Sequence, residues 1–183
     1  MAAESLGIEI TRRTRWRRRP SRLIGSVDGF NVDVKYAVGR YSRSTMIHLF
    51  LPPGPWDETR FRVFPPGRAH SAAVRSRPDA YVTTGDADFD DRLAVSVYEG
   101  TAASVQRFLT TKRRQALLAL HDAIPRASFL ASPRGGIVVP TSLVSSHRVD
   151  KRHVWKTGRM SGTQIVRCVK AMATAADALI APE

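Results

Sequence analysis

The chain has 183 residues, of which 43% are hydrophobic and 25% are charged, and its formal net charge at pH 7 is +13. This length and apolar content suffice for one domain with a sizeable core and exclude global disorder, which combines high charge with low hydrophobicity. One cysteine excludes an internal disulfide framework and a cysteine-based zinc site. Since no apolar stretch approaches the roughly 20 residues of a membrane span, we expect a soluble, cytoplasmic protein.

The N-terminal segment holds the most unusual sequence of the chain. Seven arginines fall between Arg12 and Arg22, in the sequence RRTRWRRRPSR, together with Trp16. Like charges this close repel one another unless something anionic lies among them, so the run indicates a polyanionic partner. Isoleucines precede the run and a strand pattern follows it at once. We therefore expect an extended segment at the edge of a sheet and not a free tail.

The following residues carry the alternating pattern of strands that face a core. Within residues 22–38 the alternation is interrupted by Asp28-Gly29, which readily adopts the positive φ angles of a type I′ turn and so predicts a β-hairpin. Further strands are predicted at residues 45–51 and 60–64, each ended by a proline and glycine sequence that cannot continue a ladder. The N-terminal half therefore predicts an antiparallel sheet of four or five short strands.

The middle of the chain changes from strand to helix patterns. Residues 81–84 and 92–98 are predicted as short strands on either side of the acidic sequence GDADFDD at 85–91. From Val105 the apolar residues recur at helical spacing, which predicts two tandem helices, capped by Thr101 and by Thr110 or Thr111. A second hairpin is predicted from residues 128–131 and 136–139, whereas residues 141–160 are basic and show no assignable pattern.

The C-terminal segment predicts one long helix. Residues 161–164 have the sequence SGTQ, which matches a capping box, and apolar residues then follow one face to about Leu179. Cys168 lies on that face, so we predict a small core side chain and not a nucleophile. Together these elements predict an α+β fold: an antiparallel sheet of short strands and hairpins, two tandem central helices and one long C-terminal helix. A basic segment, residues 1–22, is expected to lead into a single domain of residues 23–183.

The acidic sequence in the middle of the chain is the best candidate for a metal site. Asp86, Asp88 and Asp90 alternate, and carboxylate oxygens are the ligands that calcium and magnesium prefer. A calcium loop would need glycine at its sixth position and a bidentate glutamate at its twelfth, where this sequence has aspartate and valine. We therefore favour an acidic turn whose aspartates bind local backbone amides and pair with arginines of the chain, with Phe89 in the core.

No catalytic signature accompanies the acidic turn. The five histidines lack the i, i+4 spacing of a metal-binding pair, no Gly-x-Ser-x-Gly elbow is present, and neither type of glycine-rich phosphate loop occurs. The sequence thus indicates neither catalytic residues nor a cofactor, and it favours a protein that is not an enzyme. A divalent-metal enzyme built on the acidic turn is the third hypothesis.

Three basic groups remain as candidate contacts: residues 12–22, residues 112–114 and residues 148–159. Arginine binds anionic oxygens in a bidentate manner, and tryptophans in the first and third groups are able to stack on a base or a guanidinium. The first hypothesis is a binding or assembly module for an anionic protein surface or macromolecular assembly. The residues predicted to contact the partner are Arg12, Arg13, Arg15, Trp16, Arg17, Arg18, Arg19, Arg22, Arg148, Lys151, Arg152 and Lys156.

The alternative is a protein that binds DNA or RNA independently of sequence. The same basic residues would contact phosphates, and no helix-turn-helix, zinc finger or RNA-recognition motif is present to supply sequence specificity. A membrane surface is a weaker candidate, since stable attachment needs a second anchor and no acylation or prenylation motif occurs.

Three motifs carry a resemblance over most of the chain. They are GSVDG at residues 25–29, TGDADFDD at residues 84–91, and Leu109-Thr110 followed by RQALLAL at residues 114–120. In these motifs the chain resembles an uncharacterised family of bacterial domains with a Gly-Asp-x-x-Phe-Asp segment. The resemblance implies an α+β fold with Phe89 buried, implies no catalytic residues, and suggests a protein of a bacterium or its phage. The arginine run has no counterpart in that family.

Overall fold

The structure, a computed structural model, describes residues 9–16, 19–38, 43–54, 56, 59–66, 78–142, 146–149, 152–155 and 162–182. These residues form strands and helices with a 3-10 turn at Pro78–Ala80. The strands are β1 (Glu9–Trp16), β2 (Arg19–Val27), β3 (Phe30–Val38), β4 (Arg43–Phe50), β5 (Arg60–Phe64), β6 (Tyr81–Val82), β7 (Ala94–Glu99), β8 (Ser128–Ala131), β9 (Gly136–Ser142), β10 (Ser146–Val149) and β11 (Arg152–Trp155). The helices are α1 (Ala87–Arg92), α2 (Ala102–Phe108), α3 (Thr111–Ala123) and α4 (Gly162–Ile180).

Nine strands form one antiparallel sheet in the order β1-β2-β3-β4-β9-β8-β5-β7-β6, and β10 pairs with β11 in a separate ribbon. The predicted α+β fold is confirmed, with an antiparallel sheet, two tandem central helices and a long C-terminal helix. The N-terminal half supplies β1 to β5, as expected, and the other four strands are β6, β7 and the hairpin β8–β9, which inserts between β4 and β5. Strand β2 runs without a break through residue 22.

The first predicted hairpin is confirmed as β2–β3. Asp28 and Gly29 have φ angles of 47° and 82°, so both occupy the left-handed region that a type I′ turn requires. The turn fixes the register, in which Val27 lies opposite Phe30 and Gly25 opposite Val32. Phe30, Val32 and Val34, which alternate along β3, are accordingly buried in the core.

One face of the sheet is covered by α4, which contacts β2, β4 and β9 and packs against α3. The apolar face predicted for this helix is confirmed, since Val169, Met172 and Leu179 are buried. Cys168 is half-buried beside the same core, and burial raises the pKa of its thiol. Among the residues that the structure describes, no helix is both long and apolar enough to cross a membrane.

Four aromatic side chains form the centre of the core where the β4–β5 connection meets α2. Trp56, Phe61, Phe108 and Phe129 lie with ring centroids 5.3 to 5.8 Å apart. A Cβ atom at Gly54 would lie 2.7 Å from the Trp56 ring, so the close packing of this indole on the backbone requires glycine. This cluster holds the connection against the sheet.

Boundaries in the middle of the chain differ from the predicted ones. The strands expected at residues 81–84 and 92–98 are shorter, because α1 begins inside the acidic sequence and ends at Arg92. The Thr101 cap is confirmed by a hydrogen bond that its side chain accepts from the Ser104 amide, whereas Thr110 caps α3 without a side-chain bond. Of residues 141–160, for which the sequence pattern predicts no element, the described ones complete β9 and form β10 and β11. Helix α4 begins at Gly162, while Ser161 of the capping box lies outside the described residues.

Truncating Phe129 to alanine should destabilise the protein by about 4 kcal/mol, since a fully buried aromatic ring leaves a cavity that the core cannot fill. The free energy of unfolding, measured by urea titration, checks this. Tyr98, which is 62% exposed, supplies the control, because its replacement by alanine should change stability by less than about 0.5 kcal/mol. Equal effects of the two substitutions would contradict the packing described.

Candidate functional site

The arginine run forms the outermost pair of strands of the sheet. Strand β1 pairs with β2 in a register that places Arg12 opposite Ile24, Thr14 opposite Arg22 and Trp16 opposite Arg19. The predicted contact residues Arg12, Arg13, Arg15 and Trp16 therefore lie on β1, and Arg19 and Arg22 lie on β2, whereas Arg17 and Arg18 are outside the described residues. The extended edge segment predicted from the sequence is confirmed in its described part.

The two edges of the sheet differ in length. Strand β1 has eight residues and pairs, among the described strands, with β2 alone. Strand β6 at the opposite edge has two residues. The register of β1 shifts between Ile10 and Arg12 and again between Thr14 and Arg15, so the long edge is irregular. Arg12, Arg13 and Arg15 thus lie on the single long edge of the described sheet.

An ion-pair cluster fixes the inner strand of the hairpin to β3. Arg22 donates from Nε and Nη2 to the two carboxylate oxygens of Asp33 at 2.9 and 2.8 Å, and Lys35 Nζ lies 3.3 Å from the same carboxylate. Asp33 is 2% exposed, whereas the side chains of Arg22 and Lys35 are 43% and 52% exposed. Burial alone would raise the pKa of Asp33, but the hydrogen bonds and charges of Arg22 and Lys35 together lower the pKa below its usual value.

A histidine lies beside this cluster on β4. His48 is directly opposite Asp33 and Val138, and its ring centroid lies 3.9 Å from that of Phe50. Burial lowers the pKa of His48, the charge of Lys35 lowers it further, and Asp33 opposes the shift. Its Nε2 atom is buried and has no hydrogen-bond partner in the described part of the chain. The imidazole is therefore held neutral next to the ion pair.

The third basic group partly coincides with the ribbon β10–β11. Arg148 lies on β10 opposite His153, and Arg152 begins β11 opposite Val149. Lys151 and Lys156 lie outside the described residues. The two described arginines of this group are thus held on paired strands, as in the first hairpin.

The topology places the start of this ribbon near the end of the sheet at which Trp16 pairs with Arg19. One row of register partners crosses five strands and consists of Thr14, Arg22, Lys35, Met46 and Pro140. Its ends are four strand spacings apart, about 19 Å. Two residues past this row, in the direction of Trp16 and Arg19, β9 ends at Ser142, and β10 begins at Ser146. Four residues of chain reach at most about 14 Å, which keeps the start of β10 near this end.

The second basic group contributes to the core packing of the helices. Arg113 is buried, its guanidinium lies 4.5 Å from the Phe108 ring centroid, and it donates to the carbonyl oxygens of Phe108 and Ala181 at 3.1 and 3.2 Å. Arg114 donates to Asp86 at 3.0 Å and to the Leu109 carbonyl at 2.6 Å. These two arginines join α2, α3 and the C-terminal end of α4, and they lie on a helix away from the edge strand.

The local contacts predicted for the acidic turn are confirmed. Asp90 accepts hydrogen bonds from the Thr84 amide, the Thr84 hydroxyl and the Gly85 amide at 2.9 to 3.1 Å. Asp86 caps α1 through the Phe89 amide, and Phe89 itself is fully buried. Asp88 and Asp122 both pair with Arg92. No group of three or more histidine, cysteine, aspartate or glutamate side chains in the described ranges is arranged to hold a metal ion.

The residues that the sequence did not indicate are Asp33, Lys35 and His48. All three occupy polar positions in the alternating patterns of β3 and β4, but alternation alone does not show that β3 pairs with β4 or which of these side chains meet. No protein-family model matches the chain, and no curated protein matches it either. The resemblance to a bacterial domain family stays a prediction.

Replacing Asp33 by asparagine should lower the free energy of unfolding by about 2 kcal/mol at pH 7, because the neutral amide loses the charged hydrogen bonds of a buried acceptor. The lowered pKa means that the aspartate stabilises the fold fully above the ordinary value of about 3.9 and loses this effect as pH falls through the folded value. Urea titrations at about pH 7, 5 and 3 should therefore show the two proteins converging at low pH. The exposed Asp91→Asn supplies the control and should stay within about 0.5 kcal/mol of wild type.

His48 should make the protein less stable in mild acid. Because its folded pKa is below the unfolded value of about 6.5, the unfolded chain binds the proton first and the free energy of unfolding falls as pH drops below that value. His48→Gln should flatten this dependence between about pH 7 and pH 5, measured by urea titration. Identical slopes for the two proteins would show that His48 is not responsible.

Proposed function

We propose that the protein is a non-enzymatic binding or assembly module that contacts an anionic partner through the arginine-rich hairpin β1–β2. One observation carries the proposal: the arginine run is built into the sheet by a defined register from Glu9 to Trp16. Backbone pairing fixes the positions of the charged residues before any partner arrives. A preordered array loses less conformational entropy on binding than a free tail of the same composition.

The array has a definite length and direction. Strands rise about 3.3 Å per residue, so the eight residues of β1 extend over about 26 Å. Exposed charges separated by more than about 8 Å are largely screened at physiological salt. The anionic groups of a partner must therefore lie directly against this edge to be bound. A long array that must be matched along its length favours an anionic surface of defined shape, such as an acidic face of a protein or an assembly.

Arg22 has a separate role within this proposal. Its guanidinium is already bonded to Asp33 in a bidentate manner, so part of its charge is neutralised inside the protein. We assign to it the anchoring of the hairpin on β3, and we assign partner contact mainly to the other six arginines of the run. The geometry between anchor and contact residues is set by the pairing of Thr14 with Arg22.

The second candidate is sequence-independent nucleic-acid binding. The observation that favours it is that Trp16 and Arg19 of the first hairpin and the end of β9, four residues before β10, lie at one end of the sheet. Of the two basic hairpins, β10–β11 is a separate two-stranded ribbon, and the major groove of a duplex, about 12 Å wide, admits such a ribbon. In this alternative Arg148 and Arg152 would contribute phosphate contacts together with the first hairpin.

A matched pair of triple variants tests the proposal. Arg12, Arg13 and Arg15 are replaced by glutamine in one protein, and the exposed Arg107, Arg134 and Arg167 in the other, so both lose the same three charges from +13. Binding of a labelled polyglutamate of about 20 residues and of a DNA duplex of about 20 base pairs is followed by fluorescence anisotropy at about 50 and 200 mM NaCl. We expect the affinity of the hairpin variant for polyglutamate to fall at least about tenfold and that of the control variant to stay unchanged.

Other outcomes separate the hypotheses. Equal losses of affinity in the two variants would mean that binding depends on net charge alone. Absence of binding to either probe would refute the proposal. Nucleic acid becomes the preferred partner if the duplex alone binds, with a log–log salt slope that falls by about one unit for each arginine removed, and if Arg148→Gln with Arg152→Gln also weakens it.

A further inference from the structure

The long edge of the sheet offers backbone hydrogen-bonding groups as well as charge. An antiparallel strand directs alternate backbone N–H and C=O groups to each side, and in β1 one side is taken by β2. The described strands leave the other side without a partner, since β1 stands first in the sheet order. Such a row of donors and acceptors is a template for a further strand.

The opposite edge lacks this capacity. Strand β6 covers two residues of β7, at Ser96 and Val95, and offers too short a ladder for strand addition. Short edge strands, register irregularities and edge charges are all devices that limit unwanted pairing. The fold therefore blunts one edge by length, whereas the other edge is long but carries arginines and two register shifts, which restrict the strands that it accepts.

The arginines determine which strand the long edge accepts. A second copy of β1 would bring arginines opposite arginines, with Glu9 as the sole acidic residue of the strand, and like charges directly across a ladder are destabilising. A strand that carries aspartate or glutamate opposite Arg12, Arg13 and Arg15 converts the same repulsion into attraction. Backbone hydrogen bonds then supply affinity and the charges supply selectivity, as in other cases of strand addition.

We propose that β1 binds an acidic extended segment of a partner protein as an additional, tenth strand of the sheet. This inference rests on the proposed function and specifies the partner as a peptide. A nucleic acid would satisfy the arginines, but its backbone has no alternating N–H and C=O groups to complete the ladder. The free edge thus favours a peptide over a phosphate backbone.

The test uses the full-length wild-type chain and two peptides of about eight residues in which glutamate alternates with threonine or valine. One peptide has normal amides, and the other is N-methylated at each central amide, which keeps its charges and removes its donors. We expect the unmethylated peptide to bind at least about tenfold more tightly. Amide hydrogen exchange of β1 should slow in its complex, while exchange in β10 stays unchanged.

Charge specificity is tested by reversal. The variant with Arg12, Arg13 and Arg15 replaced by glutamate should lose the acidic peptide and bind the corresponding lysine peptide, whereas the same change at Arg107, Arg134 and Arg167 should leave acidic-peptide binding intact. Thermal unfolding monitors whether the variants are folded. The methylation experiment needs no substitution and decides the question even where a variant does not fold.

The outcomes distinguish this inference from the proposed function. Equal affinity of the two peptides, without slowed exchange in β1, would overturn the tenth strand and leave a charge-only contact, so the proposed function would stand. Failure of both peptides, with duplex DNA bound, would overturn it in favour of nucleic acid. Failure of every anionic probe would overturn the inference and the proposed function together.

Discussion

The pairing of β4 with β9 holds the two halves of the sheet together. Seven register pairs join residues 44–50 to residues 136–142, and on the core side they place Ile47 opposite Val139 and Leu49 opposite Ile137. Helix α4 packs over these strands, so burial of its apolar face depends on their alignment. The pairing also requires glycine at residue 136, where a Cβ would lie 2.0 Å from the Leu49 carbonyl oxygen. Both the edge hairpin and the aromatic cluster take their positions from this junction.

Local patterns predicted much of the fold, because the physics they express is local. Asp28-Gly29 indicated a type I′ turn from two residues, and helical spacing with a capping threonine located α2 within one residue of its start. The insertion of β8–β9 beside β4 could not be predicted, since its partners are about 90 residues apart in sequence and alternation does not specify a partner strand. The Asp33–Arg22 contact lies within the predicted β2–β3 hairpin, and it was missed because the turn and the alternation give the strand pairing but not which charged side chains bond across it.

The net charge of the chain overstates the charge that is free to meet a partner. Arg113 lies buried on an aromatic ring, Arg114 joins an acidic cap to a helix, and Arg22 is bonded to a buried aspartate. The guanidinium group suits these places because its planar fork satisfies several acceptors at once and its face stacks on rings. Arginines that serve the fold are thus distributed over helices and strands, whereas Arg12, Arg13 and Arg15 lie close together on the outermost strand. The position of each arginine in the fold distinguishes these two groups, which composition alone does not.

The brevity of β6 has a consequence for assembly. A sheet whose two edges were both long would allow copies to stack head to tail, with the edge of one meeting the far edge of the next, and such heterologous contacts grow into open filaments unless rotation closes them. Here a strand of eight residues would meet a strand of two, and the ladder between copies would end after two residues. On the proposed mode of binding, the protein would therefore be a terminus for strand addition: it would receive a strand at one side without passing the same geometry on to another copy of itself.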